Sequence, residues 1–293
     1  MSAPHKSGFV SIVGKPNVGK SSLMNKLVGE NLSIITPKAQ TTRHRIMGIL
    51  NGEDFQIVYS DTPGILEPKY QLHDAMMGYV KVSLEDADLI LLIVELGEKY
   101  DEQLFATFKT LTTPILLVIN KVDLAVGSQV VDKIAYWKEH VKAEEIIAVS
   151  ALKEINIDQL LPTIKKYLPE HPGYYPKDDL TDRSERFFAA EMVREKIFTN
   201  YDQEIPYSSA VSIESFKEEE KIIRIRATIY VERDSQKGIL IGKGGSSLKK
   251  VGTEARASME AFFGKQVFLE THVKVADNWR KETLKLKHFG YID

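Results

Sequence analysis

The sequence contains no cysteine and no long hydrophobic run. The first absence excludes disulfide bonds, zinc–thiolate sites and iron–sulfur clusters. The second excludes a membrane-spanning helix, which needs about 18 apolar residues in succession. The opening segment MSAPHKSGFVSIVG has no apolar stretch of signal-peptide length before the first strand begins. We therefore predict a globular protein of a reducing compartment.

A large net charge is also lacking, because 39 Lys and Arg residues oppose 41 Asp and Glu residues. This balance conceals a local asymmetry. From Lys237 to Lys287 there are eleven Lys and Arg residues and five Asp and Glu residues, an excess of six. Such a stretch is either a solvated basic surface or the binding face for a polyanion.

Apolar runs of strand length alternate with helical patterns through the first 170 residues. Continuously apolar strands are typical of a parallel sheet that is buried on both faces. We therefore predict an α/β domain over residues 1–170, with a mostly parallel sheet and helices on both sides. The predicted strands are FVSIV (9–13), FQIVYS (55–60), LILLIVEL (89–96), PILLVIN (114–120) and IIAVS (146–150).

The pattern breaks at HPGYYPKDDLTD, residues 171–182, which is rich in Pro, Gly and Asp and predicts an interdomain linker. After it comes an amphipathic helix, then two strands joined by the turn KEEE, then a glycine cluster, a helix and a last strand. We predict a smaller α+β domain over residues 183–293, ending in a basic tail.

The stretch GKPNVGKS matches G-x-x-x-x-G-K-[ST] between a strand and a helix. Its glycines permit close approach to an anion, and its N–H groups with the helix start form a phosphate nest. We expect Lys20 to reach the β- and γ-phosphates and Ser21 to ligate Mg²⁺. The predicted nucleotide-binding residues here are Gly14, Lys15, Pro16, Asn17, Val18, Gly19, Lys20, Ser21 and Ser22.

Two further elements follow the ends of predicted strands, where open α/β sheets bind ligands. NKVD (120–123) places the Asp123 carboxylate where it can accept from both N1–H and N2–H₂ of guanine, a donor pair that adenine lacks. DTPG (61–64) places Asp61 where it can hold Mg²⁺ and the Gly64 amide where it can meet a γ-phosphate. Between them and the phosphate loop, KAQTTRHR (38–45) is polar, and we expect it to be flexible.

In the second domain, GKGG (242–245) follows the apolar segment KGILI and precedes a basic helix. The G-x-x-G pattern alone occurs by chance, but within an α-β-β-α-α-β order it resembles a KH domain of the bacterial type. The resemblance implies a loop that clamps about four unpaired nucleotides. The predicted RNA-binding residues are Ile239, Ile241, Gly242, Lys243, Gly244, Gly245, Lys249 and Lys250.

The phosphate loop, DTPG, NKVD and VSA (149–151), in this order, resemble translation-factor-like GTPases. With KAQTTRHRI and the KH-like motif, nearly the whole chain resembles the Era family of bacterial GTPases. The resemblance implies that Thr42 is the switch threonine and a metal ligand, that Asn120 and Asp123 read guanine, and that Lys121 lies along the base. It also implies that Ser150 and Ala151 contact the base. The implied ligands are GTP or GDP and Mg²⁺.

The implied function is a GTP-hydrolysing switch that binds small-subunit ribosomal RNA near its 3′ end and assists maturation of the 30S subunit. The resemblance also implies a cytoplasmic monomer with peripheral association with the inner membrane. One alternative is an RNA-binding protein that senses GTP without turnover. Another is a metabolic P-loop kinase or ATPase, against which Asp123 argues.

The sequence also bears on the rate of hydrolysis. Ras-like enzymes orient the attacking water with a glutamine just after D-x-x-G, but here that residue is Ile65. We therefore expect slow intrinsic turnover that depends on Lys20, Thr42, Gly64 and Asn17. In related GTPases, an asparagine at the position of Asn17 can hold a potassium ion beside the phosphates, so K⁺ is a further expected ligand. In the tail ADNWRKETLKLKHFGYID, basic and aromatic residues alternate, which suits either RNA contact or packing on the domain.

Overall fold

The computed structural model describes residues 5–292. Contacts divide the chain into two compact units. The first comprises residues 5–33, 42–67 and 76–182, and the second comprises residues 34–41, 68–75 and 183–292. The second unit therefore includes two short stretches from the amino-terminal half of the chain. In the described part of the chain, no helix combines the length and the apolar character needed to cross a membrane.

A six-stranded sheet forms the centre of the first unit, in the order β2-β3-β1-β4-β5-β6. All neighbours are parallel except β2, which pairs antiparallel with β3 at the edge. The strands are β1 (Lys6–Gly14), β2 (Ile46–Asn51), β3 (Phe55–Asp61), β4 (Leu89–Glu95), β5 (Ile115–Asn120) and β6 (Glu145–Ala148). The helices over the same part of the chain are α1 (Lys20–Val28), α2 (Gln71–Glu85), α3 (Glu102–Lys109), α4 (Gln129–His140) and α5 (Leu160–Tyr167).

Burial of the central strands explains why they read as continuous apolar runs. From Leu89 to Val94, every side chain of β4 is fully buried, so both faces of the sheet are covered. On one face, Phe105 of α3 and Trp137 of α4 pack against β4 and β5. Trp137 is fully buried, and its ring nitrogen has no hydrogen-bond partner among the described residues. The predicted α/β fold is confirmed.

The sequence did not predict strand β2, which follows the phosphate loop helix and pairs with β3 from Ile46 to Asn51. The segment at 171–182 also has more structure than a free linker. Backbone N–H groups of Tyr174 and Tyr175 donate to Gln56 Oε1, and Ile49 N–H donates to the carbonyl of Leu180 at 2.8 Å. This segment therefore runs along the β2–β3 edge of the first unit.

The second unit contains a three-stranded sheet in the order β7-β8-β9, with β7 antiparallel and β9 parallel to β8. Helices α6 and α9 pack on one face of it around a core that includes Val193, Ile225 and Met259. The elements are α6 (Glu185–Asn200), α7 (Ile205–Ser208), β7 (Ala210–Glu218), β8 (Ile222–Val231), α8 (Asp234–Ile241), α9 (Ser246–Phe263), β9 (Gln266–Val275) and α10 (Thr283–His288). The predicted order is present, with α7 and α10 added.

The carboxy-terminal tail packs on the second unit. Trp279 is fully buried and its indole N–H donates to the carbonyl of Ser208 at 2.8 Å. Tyr291 stacks on the same indole, with ring centroids 5.7 Å apart. The aromatic residues of the tail therefore serve packing, while Lys281 and Lys287 remain exposed.

Candidate nucleotide and RNA sites

The phosphate loop leaves β1 at Gly14, whose backbone has φ +153°. A Cβ atom at this position would lie 2.2 Å from the carbonyl oxygen of Ile93, so only glycine fits. Asn17, at the exposed crest of the loop, has a left-handed backbone with φ 64°. Helix α1 begins at Lys20, and no side chain caps it. The first-turn N–H groups, including those of Ser21 and Ser22, therefore lack intrahelical acceptors and face the loop as donors.

Asn120 joins the phosphate loop to the elements predicted to read guanine. Its Nδ2 donates to the carbonyl of Val18 at 2.8 Å, and its Oδ1 accepts from the N–H of Ala151 at 3.0 Å. Gly19 packs directly against it, because a Cβ at Gly19 would lie 2.2 Å from Asn120 Nδ2. The sequence motif predicted a base contact for Asn120; its role as a clamp between three loops was not predicted.

Lys20 is a buried ammonium that lacks an anion partner in direct contact. Its Nζ donates to the carbonyls of Lys15 at 2.7 Å and Gly14 at 3.2 Å. Burial lowers the pKa of Lys20 to about 8, and the carboxylates of Asp61 and Glu98 oppose this shift. A phosphate beside Lys20 would restore the charge balance that burial removes.

The three residues predicted to hold Mg²⁺ converge. Ser21 Oγ donates to Asp61 Oδ2 at 2.6 Å and lies 2.9 Å from Thr42 Oγ1. Asp61 is fully buried, and burial raises the pKa of its carboxyl group although Ser21 and Lys20 favour the charged form. Within residues 5–292, its Oδ1 has no hydrogen-bond partner. A buried, unpaired carboxylate oxygen next to two hydroxyl groups fits a hard divalent cation such as Mg²⁺.

The polar segment before β2 is more ordered than its composition predicted. Side chains from Thr41 to Arg45 are all buried. Arg45 Nε donates to Ser60 Oγ at 2.9 Å, and its guanidinium pairs with Asp86 at 2.6 Å. Buried side chains and hydrogen bonds therefore hold the second half of the stretch over 38–45 in this structure, and the flexibility expected of it stays a prediction.

The D-x-x-G element lies against the phosphate loop. A Cβ at Gly64 would lie 2.6 Å from the nitrogen of Pro16, and the N–H of Ile65 donates to the carbonyl of Gly14 at 3.0 Å. The Ile65 side chain packs against the apolar core. No polar side chain therefore stands at the position where Ras-like enzymes hold a glutamine.

Asp123 is held at the far end of the same edge. Its Oδ1 accepts from Ser150 Oγ at 2.6 Å, and Ser150 Oγ accepts from the N–H of Lys153 at 3.0 Å. Lys121 adopts a left-handed backbone, with φ 64°, and its Nζ pairs with Glu95 at 2.7 Å. Ser150 and Ala151 are both buried beside Asn120. The predicted guanine-reading residues are thus brought together.

Lys15 was predicted as part of the nucleotide site, and its side chain pairs with two carboxylates. Lys15 Nζ lies 3.5 Å from Glu98 Oε1 and 3.6 Å from Asp101 Oδ2. Glu98 follows β4 in a stretch with no motif, so no pattern in the sequence identified it.

In the second unit, the GKGG segment makes the turn between α8 and α9. Its three glycines all have positive φ, at 73°, 60° and 79° for Gly242, Gly244 and Gly245. Gly244 and Gly245 have open space around them, so a ligand backbone can approach closely. Lys243 is exposed at the tip of the turn.

The flanking residues divide into an exposed face and a buried anchor. Ile239 is 57% exposed and Ile241 is half-buried, whereas Leu240 between them is buried. KGILI, predicted as an apolar segment, forms the last turns of α8. Lys249 and Lys250 are exposed on α9, the latter 3.9 Å from Glu254. The predicted RNA-binding side chains thus surround one glycine turn.

The chain matches two family models in agreement with these sites. One, described as a 50S ribosome-binding GTPase, covers residues 9–121, and the other, a KH domain, covers residues 204–280. The chain is also 44% identical over 293 residues to GTPase Era of Staphylococcus haemolyticus, covering 99% of this chain and 98% of the relative.

Solved structures of similar proteins cover the whole fold. One is a crystal structure of Era with MgGDPNP and nucleotides 1506–1542 of 16S ribosomal RNA, with 42% identity and a TM-score of 0.93 over 99% of this chain and 100% of that one. Another is an Aquifex aeolicus Era variant bound to GDP and AlF₄⁻, with 41% identity and a TM-score of 0.93 over 98% of this chain and 100% of that one. From these matches, the chain belongs to the Era family of GTPases.

Proposed function

We propose that this chain binds and hydrolyses GTP in its first unit and binds small-subunit ribosomal RNA near the 3′ end through its second unit, in maturation of the 30S subunit. One observation carries the nucleotide half of the proposal, namely the meeting of Ser21, Thr42 and Asp61 beside Lys20. The RNA half is supported by the KH match and by the Era crystal structure that contains 16S ribosomal RNA.

The residues of the first unit have separate roles in hydrolysis. The phosphate-loop amides and Lys20 hold the phosphates and offset their charge. Ser21, Thr42 and Asp61 would hold Mg²⁺, and the bound ion would supply positive charge to offset that of the phosphate oxygens. The amide of Gly64 donates to the γ-phosphate. Because Ile65 cannot orient water, positioning and charge supply most of the rate, and intrinsic turnover is slow.

Guanine selection rests on Asp123, with Asn120, Lys121, Ser150 and Ala151 around the base. Competition between GTP and ATP separates this function from that of a P-loop kinase or ATPase. Release of phosphate under steady-state conditions separates it from that of a protein that only senses GTP. A chain that binds GTP without releasing phosphate would support the sensing alternative.

The glycine turn gives a direct test of the RNA half. We expect the double variant Lys243→Asp/Gly244→Asp to lose binding to an RNA oligonucleotide of the small-subunit 3′ end, because it places negative charge where phosphates approach. Fluorescence anisotropy with a labelled oligonucleotide measures this. GTP hydrolysis by the variant should stay near the wild-type rate.

A control with a slightly larger change of charge, −4 against −3, uses Lys217→Asp/Lys221→Asp, at the end of β7 and in the next turn, where both lysines are exposed. This control should retain most of the RNA affinity. The wild-type affinity should also fall as salt rises, because bound lysines displace counterions from the strand. Wild-type affinity in the glycine-turn variant would move the RNA site elsewhere.

We also propose that Asn17 holds a potassium ion beside the phosphates. Asn17 is exposed at the crest of the loop and has a left-handed backbone conformation. We expect faster hydrolysis in KCl than in NaCl at equal ionic strength. Asn17→Ala should remove the difference while the need for Mg²⁺ persists. Equal wild-type rates in the two salts would exclude a role for potassium.

For location and assembly, we propose a cytoplasmic monomer that associates peripherally with the inner membrane. The basic excess between Lys237 and Lys287 supports the membrane contact, because clustered cations are attracted to anionic lipid surfaces. Co-sedimentation with anionic and neutral vesicles tests the contact, and light scattering tests the monomer.

A further inference from the structure

An acidic loop lies beside the phosphate loop in the first unit. It follows β4 and carries Glu95, Glu98 and Asp101. These residues line a cleft of about 410 Å³ together with Lys15 and Pro16 of the phosphate loop. The carboxylate of Glu98 is almost wholly buried, with 6% of its side chain exposed. A carboxylate buried to this degree needs partners that balance its charge.

The partners of Glu98 connect it to the phosphate loop. Oε2 accepts from the N–H of Glu95 at 3.3 Å, while Oε1 lies 3.5 Å from Lys15 Nζ. Lys133 of α4 donates to the Glu98 carbonyl at 2.7 Å, which fixes the backbone of the loop. Burial raises the pKa of the Glu98 carboxyl group, whereas the Glu95 N–H and the charge of Lys15 favour its ionised form.

From this geometry, we propose that Glu98 is a positioning residue of the nucleotide site, which holds the phosphate loop in its binding conformation through the ion pair with Lys15. The proposal rests on the nucleotide site proposed above. Asp101 supports the same lysine from the exposed side, at 3.6 Å. The Lys15 carbonyl also accepts a hydrogen bond from Lys20 Nζ. The ion pair that fixes Lys15 therefore also fixes a hydrogen-bond acceptor of Lys20, the lysine proposed to bind phosphate.

The first measurement is the dissociation rate of fluorescent mant-GDP from the full-length chain with Mg²⁺. We expect Glu98→Gln to raise it roughly threefold to tenfold, the effect of a partly buried ion pair on an adjacent loop. Lys15→Met should raise it similarly. The double variant should dissociate little faster than either single variant, because both changes break the same pair.

The second measurement separates the charge of the ion pair from mere loosening of the loop. Lys15→Arg keeps the positive charge and can still pair with Glu98, so it should release mant-GDP at close to the wild-type rate, whereas Lys15→Met should not. Release from Lys15→Arg as fast as from Lys15→Met would show that the ion pair does not hold the loop and would overturn the proposal.

Glu102→Gln is the matched control, since Glu102 lies in the same region but pairs with Lys109 on the exposed surface. It should leave the dissociation rate unchanged. Wild-type behaviour of Glu98→Gln, additive effects in the double variant, or equal effects of Glu102→Gln would each overturn the proposal. Failure of the wild-type chain to bind GDP would instead contradict the proposed nucleotide site.

Discussion

Substituting Asp123 with asparagine should weaken GTP binding by about 3 kcal/mol, which corresponds to more than a hundredfold in affinity. The carboxylate accepts from two donors of guanine, and an amide would turn an NH₂ group toward one of them. Binding of xanthosine triphosphate should improve in the same variant, because xanthine presents an acceptor where guanine has its exocyclic NH₂. Isothermal titration with both nucleotides measures the two changes.

The hydrogen bond between Ser150 and Asp123 helps to interpret that experiment. Asparagine retains an oxygen that can accept from Ser150 Oγ, now 2.6 Å from Asp123 Oδ1, so the loop should keep its position. Ser150→Ala is the useful comparison, since it loosens Asp123 without changing its charge. We expect Ser150→Ala to weaken GTP binding less than Asp123→Asn does, and not to improve the binding of xanthosine triphosphate. Unchanged GTP affinity in Asp123→Asn would contradict the assignment of guanine.

Gly19→Ala should reduce nucleotide affinity by at least about a hundredfold, because the new methyl group collides with the Asn120 clamp. It would lie 2.2 Å from Asn120 Nδ2, and the backbone at φ 97° disfavours any side chain. To relieve this collision, the phosphate loop must move, or the hydrogen bond between Asn120 and the carbonyl of Val18 must break. Binding of mant-GDP and of mant-GTP measures the loss.

Gly29→Ala provides the control for that variant. Gly29 caps the other end of α1 with φ 84°, but nothing lies within 4 Å of its added Cβ. It therefore carries the backbone strain, about 1 kcal/mol in stability, without the collision. Nucleotide affinity should stay near the wild-type value. If both alanine variants bind nucleotide equally well, contact with Asn120 is not what requires glycine at position 19.

The parts of this structure that the sequence predicts are those set by local pattern. Buried strands such as β4 are apolar throughout, and the phosphate loop follows directly from the spacing of its glycines and Lys20. Strand β2 was missed because the polar residues His44 and Arg45 precede it and Gly48, a residue depleted in strands, interrupts its apolar run. The order of the KH-like elements could be predicted because apolar and polar residues alternate along each strand, and the apolar residues face a single core.

What could not be predicted depends on contacts between distant residues. Asn120 reaches Val18 across 102 positions, and Lys15 reaches Glu98 across the sheet edge. Neither pairing leaves a periodic signal in the chain. The buried state of Thr42 and Arg43 was likewise hidden, since polar composition alone suggests solvent exposure. Such residues are positioned by tertiary packing, which only the folded chain displays.

The two tryptophans give this protein a built-in pair of optical probes. The chain has only two, and both are fully buried, Trp137 among the aromatic residues of the first unit and Trp279 in the carboxy-terminal tail of the second. Intrinsic emission of Trp137→Phe therefore reports on the second unit alone, and that of Trp279→Phe on the first. Because the indole N–H of Trp279 is hydrogen-bonded and that of Trp137 is not, their emission maxima should differ. Denaturation of each unit can thus be followed in the intact chain without an added dye.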